Sequence, residues 1–356
     1  MTERPRIPHV EVIGVRGIPE VRRDDHLARL ISAAAAAQGD ALRAGDIVAV
    51  SSKLVSKALG LTAASADKEA VVASQTIEVV AERDVGGRIT RIVRSVAGPV
   101  MAAAGVDASN TGPEGGLLLL PTTADEVCRA LVEELSVASG VGPLAVVLTD
   151  TAGRPWRGGQ VDFALGSSGI AVYDDHRGGT DTDGRPLAVT IRAIVDEIAA
   201  AADLVKGKVD QVPVAILRGL SAWVEPSPTG VGAESIVRGR AGDWFALGSQ
   251  EAVRAALGVA PGSELAATVG IRPVASDTVS AQVDRAVGVA LRGLAGSAQS
   301  VGVDVGSRQI EVTGEDLVAV GAVAARLDVA LHGEGVPHHL TLGSDHATIT
   351  LDAVSR

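Results

Sequence analysis

Six aromatic residues in a chain of 356 leave little choice about how the interior is built. Trp156, Trp223, Trp244, Tyr173, Phe163 and Phe245 are the whole set, and rings bring the largest apolar area per residue. A core of any size must therefore come from Ala, Val, Leu and Ile. Hydrophobic residues make up 46% of the chain and charged ones 21%, a globular balance rather than a disordered one. The length predicts two or three domains and is ample for a core without covalent staples. The single cysteine, Cys128, excludes an internal disulfide framework and a zinc site built from thiolates. A formal net charge of −11 argues against bulk binding to nucleic acid or to an anionic membrane. No apolar run reaches the about 18 residues of a membrane span. The opening stretch MTERPRIPHVEVIGV has no signal-peptide core, so a cytoplasmic location is expected.

Apolar periodicity places the elements. Strands are expected over 9–16, 46–51, 117–120, 144–148 and 212–217. Helices are expected over 26–37, capped by Asp24 or Asp25, over 123–134 with a threonine cap, and over 191–206. Asp150 and Thr151 then terminate a buried strand, and residues 153–157 and 173–185 read as loops. Ser249 reads as the cap of a helix over 250–257, and 259–263 as a joint. Beyond it, helices over 279–294 and 315–332 alternate with strands over 301–305, 309–312, 339–342 and 347–351.

Standard nucleotide and calcium motifs are missing. No Walker A run is present, no G-x-G-x-x-G follows a strand, and the acidic loop 174–183 fails the EF-hand pattern. Several loops still carry the right chemistry for a phosphate with a hard cation. Ser52, Lys53 and Lys57 follow a buried strand, and two lysines four apart share one helical face. They could hold a polyphosphate, or form a solvated basic turn. Asp107 and Asn110 lie in a Gly-led loop, and Asp150 and Thr151 stand at a strand end. Such oxygen donors suit Mg²⁺ or Mn²⁺, though Asx turns and helix caps use the same residues. Arg154 and Arg157 flank Trp156, where they could clamp a carboxylate or phosphate or stack on the ring. His332, His338, His339 and His346 match no helical metal spacing and read as surface or hairpin histidines. Cys128 reads as a small buried residue.

Taken in order, these segments form a pattern. Gly17-Ile18-Pro19-Glu20, Ser51-Ser52-Lys53-Leu54-Val55-Ser56-Lys57, Ala104-Gly105-Val106-Asp107-Ala108-Ser109-Asn110 and Leu118 to Pro121 are followed by Thr149 to Gln160 (TDTAGRPWRGGQ). Asp196-Glu197 with Ala199 to Lys208, and Arg218-Gly219, complete it. Over residues 9–256 the chain resembles the coenzyme F420-0:L-glutamate ligases, GTP-dependent γ-glutamyl ligases. The resemblance implies an α+β fold, with an F420 gamma-glutamyl ligase-like core over 1–256 and a small C-terminal α+β domain over 263–356. It implies that Ile18, Pro19, Glu20, Val21, Ser52, Lys57 and Asn110 contact GTP. Asp107 and Asp150 would bind one divalent cation, Mg²⁺ or Mn²⁺, and Thr151 would help bind a second. Glu234 would supply a further carboxylate for metal near the phosphates, and K⁺ is a third candidate ion. Lys57, Arg154 and Arg157 are the expected catalytic cations. The implied reaction joins L-glutamate to coenzyme F420-0 through an acyl phosphate, in a homodimer. An amide ligase with another acceptor acid, or a non-catalytic nucleotide-binding paralogue, would share the scaffold. Residues 263–356 lack the Arg-Arg-x-x-Arg pattern of the flavin-binding domain that some bacterial members carry.

Overall fold

The computed structural model describes residues 9–64, 67–109, 111, 115–207, 210–225, 230–239, 243, 245–275 and 277–352. In chain order the first elements are β1 (Glu11–Val15), α1 (Leu27–Ala37), β2 (Ile47–Ser51), α2 (Ser52–Ala58), β3 (Thr62–Ala63), α3 (Lys68–Ser74), β4 (Thr76–Val85), β5 (Arg88–Ser95) and β6 (Val100–Ala102). Then come β7 (Leu117–Leu118), α4 (Ala124–Ser139), β8 (Ala145–Arg154), β9 (Arg157–Ser168), β10 (Tyr173–Asp175), β11 (Ile191–Ala193), α5 (Ile194–Asp203) and β12 (Val214–Arg218). The chain closes with α6 (Ser249–Ala256), α7 (Glu264–Val269), α8 (Val279–Ala290), β13 (Gly302–Val305), β14 (Gln309–Thr313), α9 (Leu317–Glu334), β15 (His338–Leu342) and β16 (His346–Leu351). Helices and strands mix in several sheets, as an α+β chain requires.

Two compact units result, Met1–Thr76 with Ser95–Gly239, and Ile77–Arg94 with Arg240–Arg356. The division differs from the expected domains of 1–256 and 263–356. The first unit ends at Gly239, and Ile77–Arg94 belongs to the second. The reason is local chemistry: Glu251 of α6 accepts the backbone N–H of Glu82 at 3.1 Å and pairs with Arg83, while Glu82 accepts the N–H of Gly262 at 3.0 Å.

In the first unit a five-stranded sheet runs in the order β1-β12-β2-β8-β9, with β2 and β8 parallel and every other pair antiparallel. Ile47, Val48, Ala49 and Val50 of β2 are all buried. Their unbroken apolar run follows from helices on both faces. Val48 and Val50 join a core with Ile31 of α1 and Leu131 of α4, whereas Ile47 and Ala49 join one with Val195 and Ile198 of α5. Helix α1 buries Leu27, Ala28, Ile31, Ala34 and Ala35, one stripe at helical spacing.

Several expected details change. The residue at the α1 cap is His26, because Asp25 instead accepts the N–H of Arg22 at 2.7 Å. Thr123 stands at the α4 cap but makes no capping bond, and Gly248, rather than Ser249, caps α6. Asp150 does not end a strand. β8 continues to Arg154 and pairs with β9 down to Arg154 opposite Arg157. Pro155 and Trp156 make the turn, with Trp156 at φ 58. Gly153, Gly158 and Gly159 disguised this hairpin, since glycine is depleted in strands; a long partner strand overrides that preference. The helix expected from 191 starts at Ile194, after the short strand β11.

The second unit packs α8 and α9 over an antiparallel sheet of order β13-β14-β16-β15. Its core is aliphatic, with Ile310, Val323, Leu327, Leu331 and Ile349 fully buried. Glu334 and Asp277 hold Arg285 in a buried charge network that also takes Arg254. No helix among the described residues is long and apolar enough to cross a membrane.

Candidate active site

Strand β2 ends at Ser51, which is extended at φ −67 and ψ 135, and the next residue opens α2. Helical geometry then aligns Ser52 with Ser56 and Lys53 with Lys57. All four side chains are committed. Ser52 Oγ donates to Asp150 Oδ1 at 2.9 Å, and Ser56 Oγ to the Leu119 carbonyl at 2.6 Å. Lys53 Nζ lies 2.6 Å from Asp107 Oδ2 and 2.6 Å from Ser109 Oγ. Lys57 Nζ lies 2.5 Å from Glu20 Oε1. Ser52, Lys53, Ser56, Asp107, Leu119 and Asp150 face one cleft.

Asp107 reaches that cleft from a strained loop. Ala103, Ala104 and Gly105 take φ values of 50, 54 and 74 in succession. Left-handed backbone costs about 1–2 kcal/mol at each non-glycine residue. At Gly105 a Cβ would also stand 2.3 Å from Leu120 Cδ1. The backbone then locks onto β7, with the Leu118 N–H donating to Asp107 O at 2.8 Å.

Two carboxylates with opposite electrostatics result. Burial alone would raise Asp107. The Lys53 hydrogen bond, the Ser109 amide and hydroxyl and the Lys53 charge overcome it and hold the carboxyl at about 2. Burial dominates at Asp150. The Ser52 hydroxyl and the Thr151 amide oppose it, but Asp162 adds a like charge, and the carboxyl is pushed up to about 6.

The other face of β8 holds a cluster the sequence did not reveal. Strand alternation turns Thr149 and Thr151 away from Asp150. Thr149 Oγ1 donates to Asp162 Oδ2 at 2.8 Å and Thr151 Oγ1 to Asp162 Oδ1 at 2.7 Å. Lys206 Nζ lies 2.6 Å from Asp162 Oδ2, with both side chains at 5% exposure or less. Asp162 lies outside every expected strand and Lys206 lies 44 residues away. The apolar residues Val161 and Phe163 on either side of Asp162 were the one available sign of a strand.

The remaining expected site residues divide. Glu20 and Lys57 meet, Ile18 packs on the core, and Val21 is buried in it. Thr151 is not turned toward Asp150: its hydroxyl is spent on Asp162. Glu234 lies against α4, accepting the Asp125 N–H at 3.1 Å while Asp125 accepts the Glu234 N–H at 3.3 Å. Burial, with the Glu234 charge added, raises the Asp125 carboxyl. Arg154 and Arg157 stand exposed at the hairpin tip, where Arg154 donates to the Gly158 carbonyl at 3.2 Å. Arg154 stands four steps along the strand from Asp150, about 13 Å. Asn110 lies outside the described residues.

Residues 15–219 match the profile of the family described as F420-0:gamma-glutamyl ligase, and they contain the whole Asp107–Asp150 cleft. The chain belongs to the F420-0:gamma-glutamyl ligase family. The chain is similar to the coenzyme F420:L-glutamate ligase of Haloarcula marismortui. It is 36% identical over 230 residues, 59% of this chain and 87% of that one. The enzyme of the same name from Halobacterium salinarum is 37% identical over 230 residues, with the same coverage. The Halorubrum lacusprofundi enzyme is 36% identical over 233 residues, again covering 59% and 87%. The family segment ends at residue 219, so most of the second unit lies beyond it.

Proposed function

We propose that this family member is the GTP-dependent ligase that joins L-glutamate to coenzyme F420-0 in coenzyme F420 biosynthesis. The cleft carries the reading: two carboxylates of opposite electrostatic character, a hydroxyl and an ammonium, inside the family segment. A free carboxylate does not acylate an amine, because its leaving group would be oxide. In the proposed reaction a carboxylate oxygen of coenzyme F420-0 attacks the γ-phosphorus of GTP, and the bond to the GDP oxygen breaks. The amine of L-glutamate then attacks the acyl carbon of the resulting acyl phosphate. The carbon–oxygen bond breaks, phosphate leaves, and the nitrogen sheds a proton as the amide forms.

The chain's own groups supply positioning and charge. Ser52 holds the Asp150 carboxylate by its hydroxyl, and Lys53 brings an ammonium to the same cleft. The loop Ile18 to Val21 faces α2 through the Glu20–Lys57 pair. With Ser52, Lys57 and Asn110 it is our proposed nucleotide cradle. Asp107 and Asp150 fit Mg²⁺ or Mn²⁺ by donor type, since both are oxygen ligands. Asp150 also lacks a contacting ammonium among the described residues and is held back from ionising by burial. When bound, such a cation would offset charge on the γ-phosphate and the leaving GDP. A second divalent ion and K⁺ remain part of the proposal, as does a homodimer. Arg154 and Arg157 are proposed to hold outlying carboxylates or phosphate of the acceptor rather than the reacting atoms.

Mass spectrometry of a mixture of protein, GTP, Mn²⁺, L-glutamate and coenzyme F420-0 tests the reading. A product heavier by one or more glutamyl residues, formed with GDP, is expected. GTP binding without product would move the assignment to another acceptor acid. Failure to bind GTP at all would overturn it.

A further inference from the structure

Of the four histidines near the end of the chain, His339 and His346 stand exposed on the final hairpin, while His332 and His338 meet. Asp328 and His332 stand one turn apart on α9, and His338 opens β15. Gly335, at φ 76, reverses the chain between them, so a helix end and a strand start converge. One ligand atom from each of Asp328, His332 and His338 lies within 4.8 Å of the other two. The His332 and His338 rings meet edge-on, with centroids 4.6 Å apart.

The hydrogen bonds orient these rings. His338 Nδ1 lies 2.7 Å from the Val336 carbonyl, and His332 Nδ1 lies 3.0 Å from the Asp328 carbonyl. A carbonyl oxygen only accepts, so each Nδ1 carries the proton and donates. Each neutral ring then presents the Nε2 lone pair. His338 Nε2 lies 3.1 Å from Asp328 Oδ1, and its side chain is fully buried. Two lone pairs cannot face each other at that distance with nothing between them. A proton shared by the pair, or a metal ion, fills that gap. Backbone carbonyls anchoring the far nitrogens are the outer-shell arrangement that orients metal-binding imidazoles.

We propose that Asp328, His332 and His338 form a binding site for a zinc-class divalent transition metal. Two imidazoles and one carboxylate select borderline ions such as Zn²⁺ over Mg²⁺. Tetrahedral coordination at about 2.0–2.1 Å needs ligand atoms about 3.4 Å apart, close to the 3.1 Å between His338 Nε2 and Asp328 Oδ1 and inside the 4.8 Å span of the triad. His332 is exposed and Asp328 half-buried, so the fourth position opens to water or to an anionic ligand. The site ties the last turn of α9 to β15. It lies in the second unit, and its nitrogen ligands separate it chemically from the all-oxygen cleft of the first.

The test uses the full-length, metal-stripped protein, with Zn²⁺ titrated against a chromophoric chelator and Co²⁺ followed by its visible absorption. Wild type should bind a Zn²⁺ equivalent that survives in Asp150→Asn. The same equivalent should weaken about 10- to 100-fold or more in both His332→Gln and Asp328→Asn, and Co²⁺ should show the intense bands of a low-coordinate nitrogen–oxygen site. These two positions are not buried, so circular dichroism should report unchanged folding. Unchanged Zn²⁺ affinity in both variants would overturn the proposal. So would Zn²⁺ binding lost only in Asp150→Asn, or no Zn²⁺ binding by wild type together with a proton on His338 Nε2 by NMR.

Discussion

Asp150 and Asp162 occupy the same strand pair and differ in almost everything that matters chemically. Asp162 is 4% exposed, accepts two threonine hydroxyls and faces the Lys206 ammonium. Asp150 has a serine hydroxyl and a backbone amide, with no contacting ammonium among the described residues, and its carboxyl is pushed up to about 6. A matched buried charge is architecture, since it holds its surroundings in one arrangement. A buried carboxylate left short of positive charge is poised to accept a cation from outside.

That contrast can be broken directly. The largest expected effect is on turnover: Asp150→Asn should abolish ligase activity in the coupled GDP assay while leaving the fold intact. The same variant should make the metal-free protein more stable at pH 7. A carboxyl near 6 when folded and 3.8 when unfolded favours the folded state fully below 3.8. That contribution is lost as the pH rises through 6. Asparagine removes a cost of up to about 3 kcal/mol at neutral pH, visible in a denaturant midpoint. Asp162 predicts the opposite sign. Lys206→Met strands its carboxylate in the interior and should destabilise by about 3–5 kcal/mol by the same measurement.

Cation binding sharpens the difference further. Asp150 must lose its proton to bind a metal, so apparent Mg²⁺ affinity should fall about tenfold per pH unit below 6 and level off above it. Calorimetry between pH 5 and 8 measures this, and the dependence should vanish in Asp150→Asn. The smallest effect belongs to the half-exposed Glu20–Lys57 pair. Lys57→Met should cost less than about 1 kcal/mol of stability, yet raise the KM for GTP. An unchanged KM would remove Lys57 from the nucleotide cradle.

Much of the strand and helix order was legible because it is written in neighbouring residues. The apolar runs at Ile47–Val50 and Leu144–Leu148, and the stripe from Leu27 to Ala35, specify elements by their period alone. The order of the loops, from Gly17 through Lys57 and Asp107 to Arg157, was enough for the family. Other features depended on partners that no local pattern announces. The β8–β9 hairpin looked like a glycine loop until its strands paired. Thr151, adjacent to Asp150 in sequence, points elsewhere because successive strand residues face opposite sides of the sheet. The 77–94 segment takes its place in the second unit from contacts with Glu251 and Gly262. By itself the sequence determined the elements with a clear apolar period, the family and the composition of an aliphatic core, since these follow from short-range periodicity and residue type. Which carboxylate gained a lysine, which stayed short of charge, and which histidines met an aspartate were decided only by tertiary structure. Hydrogen bonds and ion pairs act over a few ångströms in space, and folding alone brings residues that distant in the chain to that range.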